Sequence, residues 1–177
     1  VALDIQEDGT RYTTRLRWSH SADPGTLPNA WIPLPTNDAG SVPLSDTTAP
    51  LIDCLPLGEA NIVYKEDSVY AMQFIGGEFI FKLTRIFSTF GLLAMNCVQS
   101  FERGHFVVTQ GDVKVHNGQT DISVIDKKRR ARLFDALDSA YYENTYVVKN
   151  EAKSEMWICF TETGSSTGLP NVAMIWN

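Results

Sequence analysis

The sequence predicts a mainly β fold: part of a β-propeller-like array of short antiparallel strands, with one short helix and a long irregular N-terminal segment. Short runs of alternating apolar and polar residues recur along the chain, separated by turn sequences such as Asn117-Gly118. Asn-Gly between such runs is the strongest short-range signal for a β-hairpin. Prolines gather in one early stretch, where they would interrupt a sheet. A single segment, after Ile125, has the apolar spacing of a helix.

Length and composition fit one globular domain. The chain has 177 residues, of which 44% are hydrophobic and 20% are charged, and these values exclude a wholly disordered chain. The formal net charge of −6 argues against a free-standing nucleic-acid-binding protein, which usually has a basic face. We find no apolar run long enough to span a membrane and no signal-peptide pattern. Since the sequence also lacks an initial Met, we expect an incomplete domain, processed or cut from a longer chain.

The three cysteines give no sign of a disulfide framework. Cys54, Cys97 and Cys159 form no CxxC pair, and each lies in an apolar run. We therefore expect small buried side chains in a reducing compartment.

Residues 1–60 are predicted to form one strand followed by irregular chain. The alternation in Thr10–Ser19 is typical of a strand. The segment His20–Pro56 then contains seven of the eight prolines, and proline removes a donor from the sheet ladder. Apolar residues around Trp31 indicate that this segment packs on the protein, either as a surface excursion or as a ligand site.

Residues 61–177 are predicted to form three blade-like units. The middle unit has four strands in about thirty residues, the size of one propeller blade. The strands of the three units are predicted at Ile62–Lys65, Val69–Phe74 and Glu78–Phe87; at Cys97–Phe101, His105–Thr109, Val113–His116 and Asp121–Ile125; and at Thr145–Lys149, Glu155–Thr161 and Asn171–Trp176. Three units are fewer than the four to eight blades of a propeller, so an irregular sandwich stays possible.

The helix is predicted from Lys127 to Leu137, within a segment at about 127–138, with Asp126 as its N-cap. Its first half is crowded with cations, while Asp135 and Asp138 lie at its end, which is the reverse of what the helix dipole favours. The cations are Lys127, Lys128, Arg129, Arg130 and Arg132. We interpret them either as a solvated face or as a surface that meets a neighbouring subunit or DNA phosphates.

The sequence contains one motif typical of catalysis. Gly164–Gly168 matches the GxSxG pattern of hydrolases, but that motif requires a helix after it and a histidine further along. No histidine follows His116 and another strand is predicted next, so we expect a hairpin loop.

The remaining chemistry-bearing residues are scattered. His20, His105 and His116 lack the spacing of a zinc site, and His116 is expected to flank a turn. Four acidic residues could pair for glycosidic chemistry, but nothing fixes their separation. They are Asp112, Asp121, Glu155 and Glu162. We therefore expect no enzyme and no cofactor, with no catalytic, cofactor-binding or metal-ligating residue to assign.

Five segments in succession resemble one protein family. They are RLRWSHSADP at 15–24, LIDCLPL at 51–57, IVYKEDSVYAMQFIGGEFIFK at 62–82, GHFVVTQGDVKVHNG at 104–118 and EMWICFTETGSSTGLPNVAMIWN at 155–177. Their order is similar to that in the tail nozzle proteins of short-tailed bacteriophages, also called tail tubular protein B or DNA-stabilisation-type proteins. The resemblance spans nearly the whole chain, and members of that family are longer.

The resemblance implies a structural virion protein made in the host cytoplasm. Such proteins contain a β-propeller and assemble as a six-fold ring beneath the portal and adaptor, and DNA leaves through the ring without sequence-specific contacts. The partners implied are other tail proteins and further copies of the chain in a hexamer. On this view the segment His20–Pro56 becomes a candidate for subunit contact or for a channel constriction.

Two other functions stay open. A carbohydrate- or receptor-binding β module at a tail tip would use exposed aromatic residues, for which Trp31, Tyr141 and Tyr142 are candidates. A hydrolase would use Ser166 in the GxSxG segment.

Overall fold

A computed structural model describes residues 1–77 and 79–177 and confirms a mainly β chain. Among the described residues, fourteen strands form four antiparallel sheets, each built from consecutive strands. Sheet I contains β1 (Ala2–Glu7), β2 (Thr10–Trp18) and β3 (Gly40–Pro43). Sheet II contains β4 (Leu51–Leu57), β5 (Ala60–Lys65), β6 (Val69–Phe74) and β7 (Phe81–Phe87).

The last two sheets follow the same plan. Sheet III contains β8 (Val98–Phe101), β9 (Gly104–Val108), β10 (Val113–His116) and β11 (Asp121–Ser123). Sheet IV contains β12 (Tyr146–Asn150), β13 (Glu155–Phe160) and β14 (Val172–Trp176). Between sheets III and IV lie helix α1 (Lys127–Ala136) and a short 3₁₀ helix (Tyr142–Asn144).

The predicted long irregular segment, His20–Pro56, is wrong in its second half. Strand β3 lies within it and β4 begins within it, so only residues 19–39 and 44–50 are without a strand. Both strands are at the edge of their sheets. An edge strand has a neighbour on one side only, so the missing N–H of a proline there need not remove a hydrogen bond between two strands. Strand β1 was also not predicted, and it contains a bulge at Asp4, where φ is 49°.

The strands predicted for the three blade-like units are present in sheets II, III and IV, and sheet II has one strand more than predicted. Sheet III has the four strands predicted, and β4 makes sheet II four-stranded. The strand predicted at Glu78–Phe87 begins at Phe81 in the structure, and Glu78 itself lies outside the described residues.

The four sheets stack in chain order around two cores. On β5, Val63 packs with Leu16 of sheet I, whereas Tyr64 belongs to a larger core. That core continues through Phe106 of sheet III to Ile158 of sheet IV. Adjacent residues of β5 thus serve opposite faces, as strand geometry requires. The first strand of each sheet also contacts the first strand of the next sheet. Strand β4 lies beside β1, β8 lies beside β4, and β12 lies beside β8.

Helix α1 is anchored at both ends. The Asp126 side chain accepts a hydrogen bond from the Arg129 backbone N–H at 2.9 Å, confirming the predicted N-cap. Leu133 is buried in the larger core. The helix ends at Ala136, one residue early, because Leu137 turns to extended backbone and bridges to Glu162. No helix in the described part of the chain is long and apolar enough to cross a membrane.

The thiols are less uniformly buried than predicted. Cys97 is buried, and burial raises its pKa to about 12, whereas Cys54 and Cys159 are only half-buried. All three are free.

Candidate functional site: a basic helix face and the cleft beside it

The five predicted cations of α1 divide into two groups. Lys127, Lys128, Arg129 and Arg132 are exposed, while Arg130 is half-buried. Because Leu133 fills the core, the opposite side of the helix faces solvent. Composition alone does not separate these groups, because the difference depends on partners that are distant in sequence.

Arg130 is a structural anchor. Its Nε lies 3.1 Å from Asp112 Oδ1, and its Nη2 donates to Ser123 Oγ at 3.1 Å. The Ser123 hydroxyl donates in turn to the Asp112 carboxylate at 2.9 Å. The three side chains tie α1 to the β9–β10 turn and to β11, so Arg130 is already committed to a partner.

Arg129 has a weaker, exposed partner. Its Nη1 lies 3.5 Å from Asp126 Oδ2, a surface pair worth little. The backbone N–H of Arg129, together with the cations beside it, lowers the pKa of Asp126. The capping carboxylate thereby offsets part of the positive charge at the start of the helix.

Lys127, Lys128 and Arg132 form what we call the cation face. Within the described residues, none of them has a carboxylate partner within 4.0 Å. Lys128 and Arg132 are four residues apart, so they lie one above the other on the helix. Such a face can attract a polyanion or an acidic protein surface, an attraction that salt would weaken.

A polar cleft of about 570 Å³ is lined mainly by the loops at residues 66–67, 88–91 and 109–112. Asp112 belongs both to the cleft wall and to the Arg130 anchor. Gln110 donates to Glu66 at 2.6 Å, and the Lys114 ammonium lies 4.9 Å from the centre of the Phe90 ring while pairing with Asp121.

A buried polar network joins sheet II to sheet III. Tyr64 Oη lies 2.7 Å from His105 Nδ1 and 2.7 Å from His116 Nε2. His105 Nε2 lies 3.0 Å from the Pro56 carbonyl oxygen, and the Gly118 N–H donates to His116 Nδ1 at 3.2 Å.

These contacts imply one arrangement of protons. A carbonyl only accepts, so His105 carries its proton on Nε2 and accepts from the Tyr64 hydroxyl at Nδ1. A backbone N–H only donates, so His116 carries its proton on Nε2 and donates to the same hydroxyl. Every polar atom of the three side chains is satisfied while both imidazoles are neutral.

Burial supports the neutral forms. Burial lowers the pKa of His105, and burial together with His105 lowers the pKa of His116 to about 4. Burial likewise raises the pKa of Tyr64 well above its usual value. With no donor or acceptor left over, the network is suited to holding two sheets together rather than to moving protons.

Sequence reasoning missed this network by treating the histidines as scattered. A signal was present, because His105 and His116 occupy facing positions of the predicted hairpin. Two histidines facing each other in apolar strands require a buried polar partner. The expected position of His116 beside the turn is confirmed by its bond from Gly118.

Lys65 was missed as well. Its side chain is fully buried, and its Nζ donates to the Leu44 carbonyl at 2.8 Å and to the Thr47 carbonyl and hydroxyl at 2.8 Å and 2.7 Å. Burial lowers the pKa of Lys65, while Asp46, with Oδ1 at 4.0 Å, opposes that shift. Lys65 therefore holds the β3–β4 connection against sheet II.

Comparison with models of known protein families finds no match for this sequence, and comparison with curated proteins finds none either.

The GxSxG segment Gly164–Gly168 lies in the connection between β13 and β14, as predicted. Ser166 is exposed, and Ser165 Oγ and Thr167 Oγ1 lie 3.4 Å apart. The four acidic residues singled out from the sequence have separate contacts. Asp112 pairs with Arg130, Asp121 with Lys114, Glu155 with the Trp157 indole N–H, and Glu162 lies in the bridge to Leu137.

The candidate aromatic residues each serve a local contact. The Trp31 indole N–H donates to the Pro28 carbonyl at 3.2 Å. The Tyr141 ring packs so closely on Gly168 that an added Cβ there would lie 2.6 Å from it. Tyr142 is half-buried against the larger core. Of the three, Tyr141 is the most exposed.

Proposed function

We propose that the chain is a non-enzymatic structural component of a bacteriophage tail, of the nozzle or hub type, located in the virion. In this proposal, copies of the chain form a ring-shaped conduit, a hexamer, that contacts tail proteins on the adaptor or portal side. The observation that carries the proposal is the serial stack of four sheets, each made of consecutive strands, whose first strands adjoin.

The serial stack supports a propeller-like array. Propeller blades are antiparallel sheets of about four strands, repeated radially around a channel. Consecutive sheets that meet through their first strands fit that plan, with β4, β8 and β12 towards the axis. The succession of sequence segments that resembles tail nozzle proteins supports the same assignment.

The negative net charge of the chain is consistent with a conduit that DNA passes through without being held. The net charge of −6 disfavours tight retention of DNA, so DNA can slide without sequence-specific contacts. The cation face, Lys127, Lys128 and Arg132, is the exception, and in this proposal it meets an acidic neighbouring subunit or the passing phosphates.

The segment 19–39 is the proposed contact with neighbouring subunits. Leu27 is 90% exposed and Ile32 is 70% exposed, which is unusual for large apolar side chains close together in one loop. Exposed apolar side chains that cluster mark interaction surfaces more often than those scattered singly.

Electron microscopy of the full-length protein tests the ring. A ring with an axial channel supports the proposal, and a monomer or trimer contradicts it. A second test changes Lys127, Lys128 and Arg132 together to Gln and measures particle assembly and DNA ejection. A matched control removes the same charge elsewhere, through Lys82→Gln, Arg103→Gln and Lys153→Gln, all at exposed positions. Loss in the first variant alone supports a role for the cation face.

A carbohydrate-binding module is the second candidate, favoured by the polar cleft of about 570 Å³. Carboxylates and amides such as Glu66 and Gln110 line it and are suited to sugar hydroxyl groups. Binding of the chain to a glycan array, abolished by Gln110→Leu, would favour this function over the nozzle.

A further inference from the structure

The connection between β10 and β11 contains the only Asn-Gly pair in the sequence, Asn117-Gly118. An asparagine followed by glycine can lose ammonia without an enzyme, because the next backbone nitrogen can attack the side-chain amide carbon. Glycine favours this attack, since it has no side chain to hinder the approach. Asn117 is exposed, so water can reach its amide.

The Asn117 side chain is folded over the backbone that follows it. Its Oδ1 accepts hydrogen bonds from the Thr120 N–H at 2.9 Å, from the Gln119 N–H at 3.0 Å and from the Thr120 hydroxyl at 3.3 Å. The ring closed by the bond from Gln119 contains both the amide carbon Cγ and the Gly118 nitrogen, so it turns the side chain towards that nitrogen. The same donors face Oδ1, where negative charge develops during attack, and donors in that position lower the barrier.

The Gly118 N–H is directed at a base. It donates to His116 Nδ1 at 3.2 Å, while the other nitrogen of that ring carries the proton donated to Tyr64. His116 Nδ1 therefore presents a lone pair to the hydrogen that must leave before the Gly118 nitrogen can attack. Burial lowers the pKa of His116 to about 4, so no proton occupies this lone pair at neutral pH.

We propose that Asn117 is a self-modifying site, at which the Gly118 nitrogen displaces ammonia from the Asn117 side chain with His116 as the proton acceptor. The Gly118 N–H bond and the Asn117 Cγ–Nδ2 bond break, and a bond from the Gly118 nitrogen to Cγ forms. The proton passes from His116 Nδ1 to the departing Nδ2, because a charged imidazole is disfavoured in this buried position. Water then opens the cyclic imide at either carbonyl carbon, which leaves aspartate or isoaspartate at position 117.

Another asparagine provides a natural comparison. Asn37 Oδ1 also accepts from the backbone N–H two residues ahead, that of Ala39, at 3.1 Å. The Asp38 N–H donates to His20 Nδ1 at 3.1 Å. However, Asp38 has a side chain that hinders its nitrogen, and Asn37 Nδ2, the group that would leave, donates to a backbone carbonyl at 3.1 Å. We therefore expect Asn117 to react before Asn37.

The reaction would affect the buried joint between sheets II and III. In the cyclic imide the Gly118 nitrogen has no hydrogen, so His116 Nδ1 loses its donor. Isoaspartate then adds a methylene to the backbone of the connection, where the Asn117 N–H donates to the Thr120 carbonyl at 3.2 Å. The inference does not depend on the proposed function, because it concerns one turn of a single chain.

Peptide mapping by mass spectrometry tests the site in the 177-residue chain kept at neutral pH and physiological temperature. Ammonia loss at Asn117 should be about tenfold faster in the folded chain than in guanidinium chloride, where the base and the donors are dispersed. Methylation by an isoaspartate-specific methyltransferase confirms the product. A folded chain that reacts at the unfolded rate or more slowly would overturn the inference.

Variants test the role of the imidazole. His116→Gln should slow the folded-state reaction by about tenfold, towards the rate of the unfolded chain. The matched control is His20→Gln, which removes the other imidazole that accepts a backbone N–H and should leave the rate at Asn117 unchanged. Circular dichroism checks that both variants are folded. A folded His116→Gln that reacts as fast as the parent contradicts the role of His116, and the comparison of folded and unfolded parent decides the site even if this variant does not fold.

Discussion

Tyr64 Oη and His105 Nδ1 lie 2.7 Å apart in the buried joint between sheets II and III, and the same hydroxyl lies 2.7 Å from His116 Nε2. One hydroxyl group thus serves two strands of the neighbouring sheet.

Replacing Tyr64 with Phe should destabilise the protein by about 2–4 kcal/mol, because two buried imidazole nitrogens lose their partner at once. Urea denaturation measures the change in the free energy of unfolding. The matched control is Tyr12→Phe, at a half-buried position of sheet I, which should change stability by less than about 0.5 kcal/mol. Equal effects of the two changes would mean that the hydroxyl of Tyr64 is not important.

Acid should weaken the joint. The pKa of His116 falls from 6.5 to about 4 on folding, so between these pH values the unfolded chain binds more protons than the folded one. Stability from His116 is therefore complete above about pH 6.5 and is lost as the pH falls towards 4, by about 3 kcal/mol in total. His105, whose pKa is also lowered, acts in the same direction, while Asp121 opposes the shift at His116.

The measurement is the midpoint of urea unfolding at several pH values between 4 and 7. In His116→Gln, the slope of stability with pH should flatten over this interval. In Gln119→Ala, at an exposed position in the turn after His116, the slope should match the parent. An unchanged slope in His116→Gln would show that acid acts elsewhere.

Replacing Lys65 with Met should cost more than about 2 kcal/mol, because the Leu44 carbonyl and both Thr47 acceptors lose a charged donor inside the protein. Hydrogen exchange should also quicken in the β3–β4 connection, residues 44–50, which Lys65 holds in place. Lys82→Met, at an exposed position on edge strand β7, is the control and should leave both readouts near the parent values.

Gly91 should not tolerate a side chain. A Cβ added there would lie 2.2 Å from the Lys65 carbonyl oxygen and 2.4 Å from the Glu66 carbonyl carbon, both backbone atoms that cannot easily move. We expect Gly91→Ala to cost about 1–3 kcal/mol in thermal or urea unfolding. Gly111→Ala is the control, since no heavy atom lies within 4 Å of its added Cβ. A tolerated Gly91→Ala would mean that this loop shifts freely.

Local sequence signals predicted the sheets best where turns are well marked. Sheet III follows Asn117-Gly118 and the other turns closely, and its four strands were predicted. Strand β4 was missed because Pro56 argues against a strand, and only its edge position makes the proline acceptable. Whether a strand lies at the edge or in the centre of a sheet depends on the order of the strands. The sequence of a single strand does not contain that information.

Among the functional residues, too, local features were predicted from the sequence and long-range contacts were not. The five cations of α1 were recognised from composition alone, but the pairing of Arg130 with Asp112 depends on how the helix packs on sheet III. The Tyr64–His105–His116 network joins positions 41 and 52 residues apart. Such contacts arise from the stacking of sheets, and no periodicity within a strand encodes them.

Among the residues that the structure describes, each sheet is built from consecutive strands, and none includes a strand from another part of the chain. A ribosome would therefore release every sheet complete before the next one begins, and each finished sheet would provide the surface on which its successor settles. Within the described residues, no strand has to wait for a pairing strand from a distant part of the sequence, so each sheet can form in the direction of translation. The order of synthesis and the order of stacking are then the same.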